Sequence, residues 1–243
     1  FDNGVWLPDP RQRDRATLSP PADLHLSGPP VRYTVTLQPT QQTFVFALDA
    51  PVAAPEIEGY RVQWLPDLQL VTGRPLDHLS RYTAESSPQF RYGPTQFSPA
   101  LRADEALPAG FDPRSVALGR QLAAQAKAAR QGGAFVAQAL LQMFRTQPFR
   151  YTLNPGTYGL RDGVDQFLFD RRAGFCEHYA QAFVVVMRAA GIPARIVTGY
   201  QGGRFNPVDG TWVVRQSDAH AWAEYWLPER GWVRADPTAA VDP

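Results

Sequence analysis

The chain has 243 residues, of which 44% are hydrophobic and 19% charged, and its formal net charge is +1. This length allows a complete hydrophobic core and one or two domains, and the balanced charge gives no basic surplus of the kind that indicates nucleic-acid binding. The longest aliphatic run is too short to span a bilayer, and the single cysteine, Cys176, excludes an internal disulfide bond.

The first half of the chain is rich in proline and in short β-prone runs. The whole chain has 23 prolines, and 16 of them lie at or before Pro113, which disfavours long helices in that half. Residues 31–37 alternate, with Val31, Tyr33, Val35 and Leu37 on one side, as expected of a half-buried strand. Further strands are predicted at residues 43–48, 60–65, 68–72, 79–84 and 89–92. We therefore predict a β-rich, sandwich-like region over residues 1–112.

The residue composition changes after residue 112, where alanine-rich and amphipathic segments begin. Helical spacing predicts helices at residues 115–131 and 134–146, followed by a short strand at 149–153 and a helical turn at 164–169. After a helix that starts at Cys176, strands are predicted at residues 194–200, 211–216, 219–227 and 232–237. Residues 113–243 therefore form an α+β domain in which helices pack on an antiparallel sheet.

Cys176 stands where a helix is predicted to begin. At helical spacing after it come Ala180, Phe183, Val184 and Met187, an apolar stripe that faces a core. A lone cysteine on such a stripe is more often an inert core residue than a nucleophile. The first turn of a helix, however, offers unpaired N–H groups and a dipole that favour an anion such as a thiolate.

Two later residues supply the partners that a thiol nucleophile needs. His220 lies between the small residues Ala219 and Ala221 and can act as the base, and Asp236, ahead of Pro237, can anchor that base. The two side chains share a face of the sheet only if the hairpin between their strands has an odd-length loop or contains one β-bulge. We predict such a bulge at Gly231.

A zinc site is the alternative use of Cys176, His178, His220 and Asp236. Residues two apart on a helix point about 200° apart, so Cys176 and His178 cannot converge on one ion. The sequence offers no second cysteine or closely spaced histidine pair to complete a ligand set. We therefore predict neither a metal nor another cofactor.

Four blocks in the second half of the chain resemble the successive motifs of the transglutaminase-like superfamily. They are residues 174–180 (GFCEHYA), 191–200 (GIPARIVTGY), 218–224 (DAHAWAE) and 231–238 (GWVRADPT). The opening residues 1–6 (FDNGVW) and residues 46–49 (FALD) are similar to the extracytoplasmic region of bacterial inner-membrane proteins of this type. The resemblance implies a papain-like catalytic core, a periplasmic location and a parent protein anchored in the membrane outside this segment, and the abrupt start at Phe1 also suggests an excised piece.

The resemblance implies a catalytic triad of Cys176, His220 and Asp236 and a protein-glutamine γ-glutamyltransferase reaction through a thioester. Its partners are then a protein or peptide acyl donor and an amine acceptor in the cell envelope. Tyr151, Tyr158, Tyr200 and Trp222 are candidates for substrate contacts, with Tyr151 or Trp222 as a second oxyanion donor beside the Cys176 N–H. Two alternatives stay open: a cell-envelope cysteine hydrolase, either peptidase or deamidase, and a non-catalytic binding module on the same fold.

Overall fold

The computed structural model of the protein describes residues 10–241, so the FDNGVW opening at residues 1–6 lies outside the described residues. The chain divides into two compact units, Pro8–Pro94 and Thr95–Pro243. Within residues 10–241, no helix combines the length and apolar character that crossing a membrane requires. The predicted α+β class, with a β-rich region ahead of helices and an antiparallel sheet, is confirmed.

The N-terminal unit consists of short strands in three small antiparallel sheets, ordered β1-β7, β2-β6 and β3-β5-β4. After a 3₁₀-helix at Pro10–Arg15, the strands are β1 (His25–Ser27), β2 (Val31–Leu37), β3 (Phe44–Val45), β4 (Val62–Trp64), β5 (Leu70–Thr72), β6 (Ser80–Ser86) and β7 (Gln89–Arg91). Trp64, Leu76 and Tyr82 lie in its buried core. The alternation of β2 is as predicted for Tyr33, Val35 and Leu37, which are its less exposed residues, whereas Val31 at its start is 48% exposed.

The C-terminal unit places four helical segments ahead of its largest sheet. Its helices are α1 (Pro113–Ala128), α2 (Gly133–Thr146), α3 (Gly163–Asp165), which continues as a π-helix over Gln166–Arg171, and α4 (Cys176–Ala189), with 3₁₀-helices at Pro99–Asp104, Gln216–Asp218 and Pro237–Ala240. Its strands are β8 (Arg150–Tyr151), β9 (Ala173–Gly174), β10 (Ala194–Tyr200), β11 (Arg204–Asn206), β12 (Thr211–Val213), β13 (Ala219–Leu227) and β14 (Gly231–Ala235). β10, β13 and β14 form an antiparallel sheet with β13 in the centre.

Helix α4 is the buried centre of this unit and packs on β10 and β13. Phe183, Val184 and Met187 of the predicted apolar stripe are fully buried, and the Phe183 ring lies 5.9 Å from the ring of Tyr225 on β13. Tyr225 of β13 therefore faces α4, and so does Ala221, which lies in one buried cluster with Cys176 and Ala180.

The β13–β14 hairpin has the parity that the predicted site requires. Leu227 pairs with Gly231, which leaves the three-residue loop 228–230 between the strands, and pairing continues in register to Ala223 and Ala235. Asp236 follows in phase with the His220 face. The odd-length loop, rather than a bulge at Gly231, supplies this parity, and Gly231 contributes through its φ of +74°, which a residue with a Cβ rarely adopts.

The compositional change at residue 112 lies inside the C-terminal unit rather than at its edge. The buried Arg188 side chain of α4 donates hydrogen bonds from Nη1 to the carbonyls of Ala103 and Ala106, at 3.4 and 3.0 Å. Its Nη2 lies 3.3 Å from Asp104 Oδ1. These contacts tie residues 95–112 to α4, although the segment carries the proline and irregular structure typical of the first half of the chain.

Two aspartates fix the start of α1 against the start of α3. The Asp165 carboxylate accepts hydrogen bonds from the N–H groups of Arg114 and Ser115, at 2.9 and 2.7 Å. In return, Asp112 Oδ1 accepts from the N–H of Val164 at 2.9 Å. Each carboxylate thus satisfies N–H groups at the other helix's first turn, which orients the segment that leads into β9 and α4.

Candidate active site

Cys176 is the first residue of α4, as predicted. Phe175 precedes the helix in an extended conformation, and the N–H of Phe175 donates to Nδ1 of His178 at 3.4 Å. Cys176 is 8% exposed, so its sulfur lies at the edge of the core. A mostly buried cysteine at the start of a helix can act as a nucleophile, because the N–H groups of the first turn stabilise the negative charge of its thiolate.

His220 and Asp236 are joined by a hydrogen bond. His220 Nε2 lies 2.8 Å from Asp236 Oδ2, and the two side chains are 14% and 12% exposed. Because a carboxylate only accepts hydrogen bonds, Nε2 is the donor, and this fixes the tautomer in which Nδ1 of the neutral ring can accept a proton. The predicted base and anchor therefore meet in space across 16 residues of sequence.

Thr238 holds the Asp236 carboxylate in place. Its Oγ1 and its N–H donate to Asp236 Oδ1 at 2.5 and 3.2 Å. Burial by itself would raise the pKa of Asp236, but the hydrogen bonds from Thr238 and His220 outweigh it and hold the pKa below its ordinary value. Asp236 therefore remains a carboxylate at neutral pH.

Cys176 lies beside the strand that carries His220. Cys176, Ala180 and Ala221 form one small buried cluster, against which Ile196 of β10 packs. Ala221 directly follows His220 on β13. The fold thus brings the first turn of α4 next to the start of β13, where His220 and Asp236 are joined; the catalytic roles of the three residues stay predictions.

Tyr151 of β8 lies beside Cys176 at the start of α4. β8 pairs in parallel with β9, with Tyr151 opposite Gly174, and the Tyr151 ring stacks on Tyr179 at a centroid distance of 6.4 Å. Burial raises the pKa of Tyr151, and the Cys176 thiol raises it further, while a hydrogen bond with the Cys176 backbone acts in the opposite direction. The hydroxyl group, which is part of a side chain exposed to 44%, therefore adjoins both the thiol and the N–H of Cys176.

The Trp222 ring stacks beside His220. The centroids of the two rings are 6.2 Å apart, with an interplanar angle of 24°. The guanidinium of Arg234, on β14, lies 4.2 Å from the centroid of the Trp222 ring. On β10, a Cβ atom added at Gly199 would lie 2.8 Å from Cη2 of Trp222. Trp222 is therefore held between neighbouring strands, which restricts the position of the imidazole as well.

Tyr158 and Tyr200 have local partners outside the His220–Asp236 pair. The Tyr158 hydroxyl donates to the carbonyl of Ala173, and its ring lies 4.9 Å from His178. Tyr200 pairs with Ala219, next to His220, but its hydroxyl donates to Gln216 Oε1 at 2.8 Å. Their predicted substrate contacts stay predictions.

Residues 10–241 contain no group of three or more His, Cys, Asp or Glu side chains arranged to hold a metal ion. His178 caps the start of α4 through Nδ1, and burial lowers its pKa. The neutral ring thus has a structural task at the helix start.

Sequence reasoning assigned no role to Thr238, Arg234 or Gly199. An Asp-Pro-Thr segment is a recognisable turn signal, because an aspartate often accepts a hydrogen bond from the N–H two residues later. The Arg234–Trp222 stack and the approach of Gly199 to Trp222 depend on strand register, which spacing alone does not reveal.

Two family models match the chain. Residues 118–237 match the core of the transglutaminase-like superfamily, and residues 1–92 match the TgpA N-terminal domain. The first match contains Cys176, His220 and Asp236.

Known proteins similar to the chain come from bacteria. A protein-glutamine gamma-glutamyltransferase of Pseudomonas aeruginosa is 47% identical over 244 residues, covering all of this chain and 34% of that protein. The chain thus spans about a third of this curated relative. Two crystal structures of the periplasmic domain of TgpA from Pseudomonas aeruginosa, one of them bound to ethylmercury, are similar to the chain. The ethylmercury-bound structure is 43% identical and the other is 42% identical, and both have a TM-score of 0.80. They match 90% of this chain, which covers 76% and 73% of theirs.

Proposed function

The chain belongs to the transglutaminase-like superfamily, and from that premise we propose that it transfers the acyl group of glutamine side chains to primary amines. The observation that carries this proposal is the His220–Asp236 hydrogen bond of 2.8 Å, next to a helix that begins with the only cysteine of the chain. Its similarity to a protein named a protein-glutamine gamma-glutamyltransferase supports the same reaction.

The first half of the reaction forms a thioester. Nδ1 of His220 accepts the proton of the Cys176 thiol, and the sulfur attacks the carbonyl carbon of the glutamine side chain. When the tetrahedral intermediate collapses, the carbon–nitrogen bond breaks and His220 donates its proton to the departing ammonia. Asp236 stabilises the imidazolium form of His220 throughout this half-reaction.

The second half consumes the thioester. A primary amine attacks the acyl carbon, His220 accepts a proton from the amine, and the carbon–sulfur bond breaks as the thiol is restored. If water attacks instead, the products are glutamate and free enzyme, so the same site performs deamidation. The backbone N–H of Cys176, at the helix start, is suited to stabilise the negative oxygen of both tetrahedral intermediates.

Tyr151 is suited to assist at that oxyanion position. Its hydroxyl adjoins the Cys176 N–H and thiol, and a hydroxyl can donate a hydrogen bond to a developing oxyanion. The position of Trp222 next to His220 favours a different task, which is to limit the rotation of the imidazole.

The test compares amine incorporation with ammonia release. The chain is incubated with a glutamine-containing peptide and a biotinylated primary amine, and incorporated biotin and free ammonia are measured in parallel. We expect equal amounts of the two products, and neither in Cys176→Ala. Ammonia without incorporation would identify a deamidase, cleavage of the peptide backbone a peptidase, and no turnover of any donor would leave a binding module.

We also propose that the segment faces the periplasm and that its parent protein is attached to the inner membrane. The support is its similarity to two structures described as periplasmic domains. Its substrates would then be proteins or peptides of the cell envelope. Protease treatment of intact spheroplasts should degrade this segment of the parent protein, whereas protection until lysis would contradict the proposal.

A further inference from the structure

A cleft of about 500 Å³ opens beside Tyr151, where β8 pairs with β9. Its lining includes Arg150, Tyr151, Asn154, Arg171 and Ala173. Ala173 begins the β9 strand that leads directly into α4, and the Tyr151 hydroxyl adjoins Cys176. One wall of the cleft is therefore the residue that adjoins Cys176, and the cleft has the size of a site for a small ligand or a short stretch of peptide.

The charged groups that line this cleft are two arginines, and no carboxylate is among the lining residues. Within residues 10–241, neither Arg150 nor Arg171 forms an ion pair. Other arginines of the same unit do, since Arg114 pairs with Asp170, and Arg195 pairs with Glu224. The cleft thus keeps positive charge that the protein itself does not neutralise.

Neutral groups hold Arg171 in position. Its Nη1 donates to the carbonyl of Thr157 at 2.7 Å, and its guanidinium carbon lies 4.9 Å from the ring centroid of Tyr158. A guanidinium has five N–H donors, so these contacts orient the group while leaving donors for a ligand. An oriented cation loses less conformational entropy when it binds an anion.

We propose that this cleft is an acyl-donor subsite that binds a carboxylate of the donor near its reactive glutamine, through Arg150 and Arg171. This inference rests on the proposed function, because it places the ligand on the peptide whose glutamine reaches Cys176. The carboxylate belongs to an acidic side chain or to the C-terminus of the donor. In either case the enzyme prefers acidic donors over neutral ones of the same shape.

The test uses peptides in which aspartate or asparagine stands on either side of one glutamine, each with a free or an amidated C-terminus. We expect kcat/KM to favour an aspartate peptide about five- to tenfold, mainly through KM, and the preference to shrink at high salt. The double variant R150Q/R171Q should reduce the aspartate-to-asparagine ratio to about one. If only the free C-terminus has this effect, the terminal carboxylate is the ligand.

Arg145→Gln is the matched control, because it removes an exposed arginine of α2 that lies outside the cleft. Its aspartate-to-asparagine ratio should equal that of the parent chain. Equal use of all peptides by the parent, or the same loss of preference in Arg145→Gln, would overturn the subsite.

Binding of the same labelled peptides to Cys176→Ala, measured by fluorescence anisotropy, separates this inference from the proposed reaction. If no donor is turned over but aspartate peptides bind more tightly and R150Q/R171Q abolishes the difference, the acyl-transfer proposal fails and the carboxylate subsite stands. If donors are turned over and binding shows no acidic preference, the reaction stands and the subsite fails.

Discussion

Residues 10–241 contain two histidine–aspartate pairs with hydrogen bonds of nearly equal length, one in each compact unit. His220 Nε2 lies 2.8 Å from Asp236 in the C-terminal unit, and His78 Nδ1 lies 2.9 Å from Asp77 in the N-terminal unit. The side chains of the first pair are 14% and 12% exposed, whereas both members of the second pair are 52% exposed. Bond length alone therefore does not distinguish a candidate active site from a surface contact.

The surroundings of the two pairs differ more than their geometry. The exposed pair is shared with Tyr60, whose hydroxyl lies 2.6 Å from Asp77 and 3.1 Å from His78 Nδ1. Tyr60 thus contacts the ring nitrogen that already faces the carboxylate. In the buried pair the carboxylate binds Nε2, which leaves Nδ1 for the proton of a thiol. Burial, the choice of ring nitrogen and a nearby thiol therefore distinguish the pair that we propose to be catalytic.

The largest expected effect comes from removing each imidazole in turn. His220→Ala should lower kcat/KM for amine incorporation about 10⁴-fold, because the thiol loses its base. His78→Ala should change kcat/KM less than about twofold, as expected of a surface substitution. Both are measured with the biotinylated amine, with Cys176→Ala as the background. A comparable loss in the two variants would remove the distinction between the pairs.

The second comparison replaces the carboxylates. In Asp236→Asn the amide can donate to Nε2 of His220, which favours the tautomer with a proton on Nδ1, and kcat/KM should fall by about 10²–10⁴-fold. Asp77→Asn is the matched substitution and should leave kcat/KM near the parent value. Full activity of Asp236→Asn would show that the anchor is dispensable.

A third prediction concerns Trp222, whose ring stacks beside His220. Gly199→Ala places a methyl group 2.8 Å from Cη2 of Trp222, so the indole that stacks beside His220 must shift. We expect stability to fall by about 1–3 kcal/mol and kcat/KM about tenfold. Gly73→Ala is the control, because an added Cβ there meets nothing within 4 Å. Chemical denaturation and steady-state kinetics measure both quantities, and an unchanged kcat/KM in Gly199→Ala would show that Trp222 does not position His220.

The smallest effect concerns stability in acid. The Asp236 pKa is lowered because hydrogen bonds from Thr238 and His220 outweigh burial, and hydrogen bonds from Tyr60 and His78 lower the pKa of Asp77 to about 2. A carboxyl group with a depressed folded-state pKa adds stability above its unfolded-state pKa, and this stability is lost as the pH falls through the folded-state value.

Between pH 4 and pH 2, Asp236→Asn and Asp77→Asn should therefore each lose less stability than the parent chain. For Asp77→Asn the difference should shrink at about 0.5 M salt, because the contribution of the Arg74 charge to this exposed carboxylate is screened. For the buried Asp236 it should persist, and thermal denaturation at several pH and salt values measures both. Equal salt sensitivity would show that the two pairs share one electrostatic environment.

The sequence predicted the parts of the site that depend on local periodicity. The helix start at Cys176 and both ends of β13 followed from spacing and from punctuation by glycine and proline. Each of these features depends on the pattern of neighbouring residues, so the local sequence is enough to predict its position. Spacing also required an odd-length loop or a bulge in the β13–β14 hairpin, but the bulge predicted at Gly231 was the wrong choice between the two.

The parts that depend on distant partners were not predictable. β9 is two residues long and exists because Arg150 and Tyr151 run beside it in parallel, and the π-helix at Gln166–Arg171 has no local signature. Glycine and proline surround residues 204–206, a pattern typical of a loop, yet these residues pair with β12 in an exposed hairpin. Trp212 lies in the strand predicted at residues 211–216, yet its side chain is 67% exposed.

The three-residue loop at 228–230 has a consequence for related chains of other lengths. Inserting or deleting a single residue there would send every later side chain of β14 to the opposite face of the sheet and would carry Asp236 away from His220. Adding or removing two residues would preserve the alternation. Variation at this turn should therefore proceed in even steps wherever related chains keep the hydrogen bond between these two residues.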